Sequence, residues 1–278
     1  KAIDIIKNGS NLLKEGKIQT HIIDSELLLS KILNKTREEI IVNLDKEIDD
    51  KSVIRFNTFI QRRIKNEPIA YILGEKEFWS KKFNVSRDTL IPRPETELLV
   101  EKLTNIFKEK KIFILDIGTG SGCIILSLLS SLQNSTGLGV DISKNATIIA
   151  KKNAAAHNLS NRVKFLSKSL ENVFNKKFDL IVSNPPYVER KDIKNLSHDI
   201  KMYEPRMALD GGNDGLDLIK KVIYKSKSLL KTKGMLALEI GNGQINKVSK
   251  ILFDKGLRVY DTIKDYKENI RCVFATNE

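Results

Sequence analysis

Cysteine is scarce in this 278-residue chain. Cys123 and Cys272 lie far apart and neither belongs to a Cys-x-x-Cys pair, which argues against a disulfide framework and against a zinc site. Histidine is nearly as rare, and His21, His157 and His198 have no metal-ligand spacing, so no metal is expected. No apolar run reaches the roughly 18 residues of a membrane span, and no signal-peptide pattern opens the chain. A soluble cytoplasmic protein without a membrane partner is the expectation. The start at Lys1 rather than Met is what a piece trimmed from something longer would show. Internal repeats and low-complexity tracts are absent as well.

What is present is a core-forming composition with a basic excess. Hydrophobic residues make up 41% and charged residues 30%, enough apolar surface to exclude wholesale disorder. The net charge of +13 is unevenly spread. Residues 1–75 hold 13 basic and 12 acidic side chains, whereas residues 76–278 hold 35 and 23. The excess on the second part suits a polyanion or an acidic protein, or else reflects a Lys-rich background, since no basic run exceeds a few residues.

Three regions emerge along the chain. Residues 1–75 read as a helical domain that packs or recognises a partner. Asp24 is a candidate cap for a helix carrying Leu27, Leu28, Ile32 and Leu33. Thr36 with Glu39 has capping-box spacing, and Val53, Phe56, Ile60 and Ile64 recur at helical spacing from a start near Ser52. Residues 76–90, with the single Trp79, read as a hairpin linker around Ser80-Lys81-Lys82. Residues 91–278 alternate strand and helix. Apolar strand runs at 112–117, 138–142, 163–166, 178–182 and 235–240 alternate with helices near 124–132, 148–156, 216–230 and 245–253. The last two strands, 257–263 and 270–275, leave no room for a helix between them and should pair antiparallel. The expected fold is α/β: a doubly wound, Rossmann-like sheet, mostly parallel with an antiparallel strand, behind a small helical domain.

Two motifs carry chemistry. Asp116-Ile117-Gly118-Thr119-Gly120-Ser121-Gly122 follows the first strand of the sheet and opens a helix. Its G-x-G-x-G spacing satisfies neither the dinucleotide fingerprint nor the P-loop, because position 123 is Cys and no lysine follows. Asp141 ends the second strand, where a carboxylate accepts hydrogen bonds from both hydroxyls of a ribose. This combination suits S-adenosylmethionine (SAM), a nucleoside without a pyrophosphate.

Asn184-Pro185-Pro186-Tyr187 follows a buried strand at its carboxyl end, and two prolines force the chain out of the sheet there. The side-chain carbonyl of Asn184 and the backbone carbonyl of Pro185 together accept both hydrogen bonds of one planar NH2 group. Tyr187 offers an aromatic face for a planar substrate. An amide nitrogen is a poor nucleophile because its lone pair is delocalised. Accepting its N–H bonds returns electron density to nitrogen, and positioning against an activated methyl supplies the rest.

With these residues the sequence resembles the HemK/PrmC family, the glutamine-N5 methyltransferases of peptide chain release factors. The resemblance runs over essentially the whole chain. It includes Glu67-Pro68-Ile69-Ala70-Tyr71-Ile72-Leu73-Gly74, Phe78-Trp79, Ile91-Pro92-Arg93-Pro94-Glu95-Thr96-Glu97, both motifs above and Tyr203-Glu204-Pro205. It implies that Asp116, Gly118, Thr119, Gly120, Ser121, Gly122, Asp141, Ile142, Leu170 and Asn184 hold SAM, which leaves as S-adenosylhomocysteine. Leu170 follows Ser169 where the family often has an Asp before a bulky residue. It further implies that Asn184, Pro185, Pro186 and Tyr187, with Pro92 and Arg93, hold the glutamine of a Gly-Gly-Gln loop, Asn184, Pro185 and Tyr187 being catalytic. Class I release factors would be the partner, recognised in part by the helical domain, and nucleic acid would not be the substrate. The tetrapeptide is shared with adenine-N6 methyltransferases of nucleic acids, which stand as one alternative. Ribosomal-protein glutamine methyltransferases are another, although Pro94-Glu95 favours the release-factor branch.

Overall fold

In the computed structural model, residues 1–172 and 176–277 are described, so the expected domain end at Glu278 lies outside them. Two compact units emerge, one of residues 1–75 with 197–203 and one of residues 76–196 with the chain from Glu204 onward.

The first unit contains α1 (Ala2–Glu15), α2 (His21–Leu33), α3 (Arg37–Val42), α4 (Asp50–Ile64) and α5 (Ile69–Leu73). Leu13, Leu28, Leu29, Phe56 and Ile60 are buried in its core, as the spacing of Phe56 and Ile60 predicts. The capping box forms: Glu39 donates its backbone N–H to the Thr36 hydroxyl, and Thr36 donates its own to the Glu39 carboxylate. Asp24 is not a cap. Helix α2 starts earlier, after Thr20, and Asp24 sits inside it, 3% exposed, with its carboxylate 2.7 Å from Nε of Arg63 on α4. Helix α4 also starts earlier than Ser52, because Asp49 caps it by accepting the Ser52 N–H at 3.0 Å.

A two-stranded hairpin follows, β1 (Glu75–Phe78) and β2 (Lys81–Asn84). Its turn is Trp79-Ser80, both at positive φ, rather than Ser80-Lys81-Lys82. Trp79 packs against the apolar core of the second unit, and its backbone N–H donates to Glu97 at 2.9 Å.

The second unit continues with α6 (Glu95–Ile106), β3 (Phe113–Ile117), α7 (Cys123–Ser131), β4 (Thr136–Asp141), α8 (Lys144–Ala156), β5 (Val163–Ser167) and β6 (Phe178–Ser183). After α9 (His198–Tyr203), which belongs to the helical unit, come α10 (Asp217–Leu229), β7 (Leu230–Glu239), α11 (Ile245–Asp254), β8 (Leu257–Lys264) and β9 (Ile270–Asn277). Strand order is β5-β4-β3-β6-β7-β9-β8, with β9 antiparallel to both neighbours and the other described pairings parallel. The expected antiparallel pairing of the last two strands is therefore present. β9 also inserts beside β7, which sequence order alone does not reveal.

Helices cover both faces, which explains the near-continuous apolar runs of the central strands. Ile114, Leu180 and Val182 pack with Leu99, Leu103, Ile125 and Leu129 on one face. Leu115, Ile117 and Ile181 pack with Ile219, Val222, Ile223 and Val248 on the other, the alternation a pleated strand imposes. From β3 the chain moves outward through β4 and β5, then returns to lay β6 on the opposite side of β3. The carboxyl ends of β3, β4, β6 and β7 meet along one edge at this switch in winding direction, the position where open α/β sheets bind ligands.

Asp24→Ala leaves the half-buried Arg63 guanidinium without its carboxylate, with the Glu67 carbonyl still accepting from it at 3.1 Å. The expected loss is about 3–5 kcal/mol of helical-unit stability, to be read by chemical denaturation of the whole chain.

Candidate active site

A cavity of about 270 Å³ opens at that edge. Four strand ends build it. After β3 the glycine loop turns into α7, and Gly118, Gly120 and Gly122 all hold positive φ, which L side chains rarely adopt. A Cβ on Gly118 would meet nothing within 4 Å, so this backbone faces open space. Gly118, Thr119, Gly120 and Ser121 line the cavity.

Asp141 ends β4. Its Oδ2 accepts the Gly120 N–H and its Oδ1 the Ser143 N–H, both at 2.9 Å. The two backbone donors fix the plane of the carboxylate and leave each oxygen a further lone pair. Burial raises the Asp141 pKa above its ordinary value, while these amides pull it back. Beside it, Ile142 is exposed. With Leu170 it lines the same cavity and offers an apolar wall to a flat ring. Paired acceptors for vicinal hydroxyls, an apolar wall and a close-approach glycine loop fit the adenosyl group of SAM.

The remaining wall comes from β6 and from the segment ahead of α6. Asn184, Pro185 and Pro186 line the same cavity as the glycine loop, as do Pro92, Arg93 and Thr96. Glu204 holds this segment. Its carboxylate accepts the Ile91 N–H at 3.2 Å and lies 2.5 Å from Nη2 of Arg93, so the Tyr203-Glu204-Pro205 motif acquires a structural role. Tyr203, next in the chain, donates instead to the Lys65 carbonyl of the helical unit at 2.9 Å.

Three of the expected residues stand behind the cavity wall. Asp116 is fully buried, accepting from the Thr119 hydroxyl at 2.7 Å, and supports the loop from below. Gly122 turns inward, where a Cβ would come within 3.1–3.4 Å of Leu126, Ala150 and Phe165. Tyr187 is not among the residues that line the cavity. The Arg271 guanidinium lies 5.4 Å from the ring centroid, and burial together with Glu239 pushes the phenol up to about 12. The tyrosine is drawn away because the buried Glu239 carboxylate, at the end of β7, needs donors. Tyr187 Oη donates to it at 3.4 Å and Thr96 Oγ1 at 2.6 Å. Asn184 Nδ2 in turn donates to Thr96 Oγ1 at 3.3 Å. Sequence reasoning passed over Glu239, although a carboxylate closing an otherwise apolar strand is a readable signal.

Comparison with known proteins agrees with this architecture. Residues 4–74 match the family described as the PrmC N-terminal domain, and residues 93–213 match the methyltransferase small domain. The chain is 38% identical to the release factor glutamine methyltransferase of Clostridium acetobutylicum, over 99% of this chain and 98% of that protein. It is 34% identical to a bifunctional methyltransferase of Rickettsia typhi over 97% of this chain, spanning 56% of that longer protein. In structure it resembles the hMettl16 catalytic domain solved in complex with the MAT2A 3'UTR hairpin 6. That match has a TM-score of 0.58 and 17% identity, covering 85% of this chain and 86% of that one, which is a likeness of fold.

The buried Asp116 makes the ligand-free protein sensitive to pH. Desolvation raises its carboxyl to about 7, the Thr119 hydroxyl offsetting part of this and the nearby Asp141 charge adding to it. A folded pKa above the unfolded one means that the folded state holds the proton more tightly. The stability contributed is therefore complete below about pH 4 and is lost as pH rises through about 7. Melting curves of wild type and Asp116→Asn across this range should diverge, with wild type losing Tm relative to the variant as pH rises.

Proposed function

The chain belongs to the family of release factor glutamine methyltransferases, and we propose that its substrate is the glutamine of the Gly-Gly-Gln loop of class I release factors, methylated at the side-chain nitrogen N5. The observation that carries this reading is the wall formed by Asn184 and Pro185, two residues with carbonyl acceptors at the end of β6, which line one cavity together with the glycine loop and Asp141. Asp141 would hold the ribose hydroxyls of SAM, the Gly118-to-Ser121 backbone its amino-acid end, and Ile142 and Leu170 its adenine. Bound there, SAM supplies an electrophilic methyl on a positively charged sulfur.

The protein's own residues do the rest by positioning. Asn184 Oδ1 and the Pro185 carbonyl accept the two N–H bonds of the substrate amide, which restores electron density to its nitrogen and fixes its orientation. No ionisable side chain is needed as a base ahead of transfer, because the positive charge that develops on nitrogen is met by two carbonyl dipoles; the methylated nitrogen, strongly acidic once it carries that charge, then releases one of its two protons to solvent, which leaves the neutral N-methyl amide. Pro186 and Pro92 exclude water from the reacting face. Arg93, pinned by Glu204, keeps the opening segment in place. We assign Tyr187 to supporting this wall from behind.

The helical unit would recognise the body of the release factor, with residues 76–90 as its connector, and the reaction would take place in the cytoplasm, where release factors act. Among the described residues no helix is long and apolar enough to cross a membrane. Adenine methylation in nucleic acid would use the same tetrapeptide, yet only the basic balance of residues 76–278 favours it. A match to the PrmC N-terminal domain favours the release factor.

Mass spectrometry of a release factor incubated with the protein and SAM should find one methyl on the Gly-Gly-Gln glutamine. Asn184→Ala should lower kcat/KM by about 10²–10³-fold, the usual effect of removing one charge-stabilising hydrogen bond from an active site. An unmodified glutamine, or methyl transfer to oligonucleotides instead, would overturn the assignment.

A further inference from the structure

For Asn184 to grip an NH2 group it must turn its carbonyl, and not its own amino group, toward the substrate. The two ends of a side-chain amide are nearly equal in shape, and a half-turn of the group exchanges them. Something behind Asn184 must therefore select the orientation.

A directed chain of hydrogen bonds lies there. Arg271 Nη2 donates to Tyr187 Oη at 3.2 Å, and Tyr187 Oη donates to Glu239 Oε1 at 3.4 Å. From the other side Asn184 Nδ2 donates to Thr96 Oγ1 at 3.3 Å, and Thr96 Oγ1 donates to Glu239 Oε2 at 2.6 Å. The groups that end these runs allow only one direction. A guanidinium donates and never accepts, so Tyr187 must pass its single proton onward. Burial and the Glu95 charge raise the Glu239 pKa, whereas the Thr96 hydroxyl, the Arg271 charge and the Tyr187 hydroxyl lower it; in the ionised form that these three favour, Glu239 accepts a hydrogen bond from each side and donates none. Thr96 has one hydroxyl proton, and Glu239 takes it. What remains on Thr96 Oγ1 is a lone pair, which only the NH2 end of Asn184 satisfies.

We propose that Thr96 and Glu239 are positioning residues, which polarise this chain so that Asn184 presents Oδ1 to the substrate and thereby select glutamine against glutamate. The inference rests on the reading of Asn184 and Pro185 as the grip on the substrate amide. Two carbonyl acceptors side by side welcome an NH2 group and repel a carboxylate. With Asn184 reversed, the pair becomes one donor and one acceptor, and this discrimination falls. Glu239 is 0% exposed, so bulk solvent does not reach the carboxylate and the direction is set by the groups around it.

The test compares wild type, Thr96→Val, Thr96→Ser and Glu239→Gln. Calorimetry measures SAM affinity, steady-state assays measure kcat and KM for release factor, and competition measures binding of a release factor carrying Glu in place of the target Gln. Thr96→Val keeps the shape and removes the hydroxyl. Its kcat should fall about 10–100-fold, with SAM affinity held within about threefold, as expected for losing an interaction that orients the reacting group. The preference for Gln over Glu should narrow in Thr96→Val and in Glu239→Gln, because the two hydroxyls meet different ends of the Glu239 side chain and in glutamine one of those ends donates instead of accepting. Thr96→Ser, which restores the hydroxyl, should recover both rate and preference. Wild-type rate and preference in Thr96→Val, or a Thr96→Ser that falls as far as Thr96→Val, would overturn the inference alone. A wild-type protein that binds SAM and leaves the release factor unmethylated would overturn the reading beneath it, and the inference with it.

Discussion

An amide nitrogen shares its lone pair with the neighbouring carbonyl, so a protein that alkylates it must hold both N–H bonds at once. That requirement calls for two acceptors, close together, with fixed direction. The fold supplies them where β6 stops. Pro185 and Pro186 cannot take part in a sheet ladder, so the Pro185 carbonyl is released and the chain turns outward beside the cavity. The strand beneath is anchored by Ser183, whose hydroxyl donates to the Ile117 carbonyl of β3 at 2.7 Å. That bond ties the substrate wall to the strand that carries the glycine loop. The proposed sites for methyl donor and acceptor would thus hang from two adjacent, directly bonded strands.

Much of this could be read from the residues in order. The glycine loop, Asp141, the tetrapeptide and six of the seven strand runs lie close to where the sequence predicts, because each depends on local periodicity or on residue types that break it; β7 instead begins at Leu230, five residues ahead of the expected 235. Four of the six prolines, Pro92, Pro185, Pro186 and Pro205, line the cavity, so the punctuation of the chain marked its site. What could not be read depends on partners distant in sequence. Asp24 resembles a helix cap until Arg63, on another helix, claims its carboxylate. Tyr187 resembles a stacking platform until Glu239 and Arg271 hold it elsewhere. Gly122 resembles a ligand-facing glycine until Leu126 and Ala150 close over it. In each case the residue type was suited to the expected role, and a nonlocal contact decided otherwise.

The opening charge asymmetry takes a smaller part than it first suggested. A basic excess of this size raises encounter rates with an acidic surface and does so for any polyanion. On the proposed reading, chemical selection would happen at Asn184 and Pro185, where neutral carbonyls would face the substrate. Behind them the buried Glu239 carboxylate, bonded to the Thr96 and Tyr187 hydroxyls, would act without meeting the substrate itself.

The most direct measurement is a crystal structure of the protein with S-adenosylhomocysteine and a release factor. The glutamine side-chain nitrogen should lie about 2.7–3.2 Å from both Asn184 Oδ1 and the Pro185 carbonyl, with its free face toward the sulfur of the bound product. A glutamine nitrogen held by other groups, or an Asn184 whose amino end faces the substrate, would contradict the mechanism.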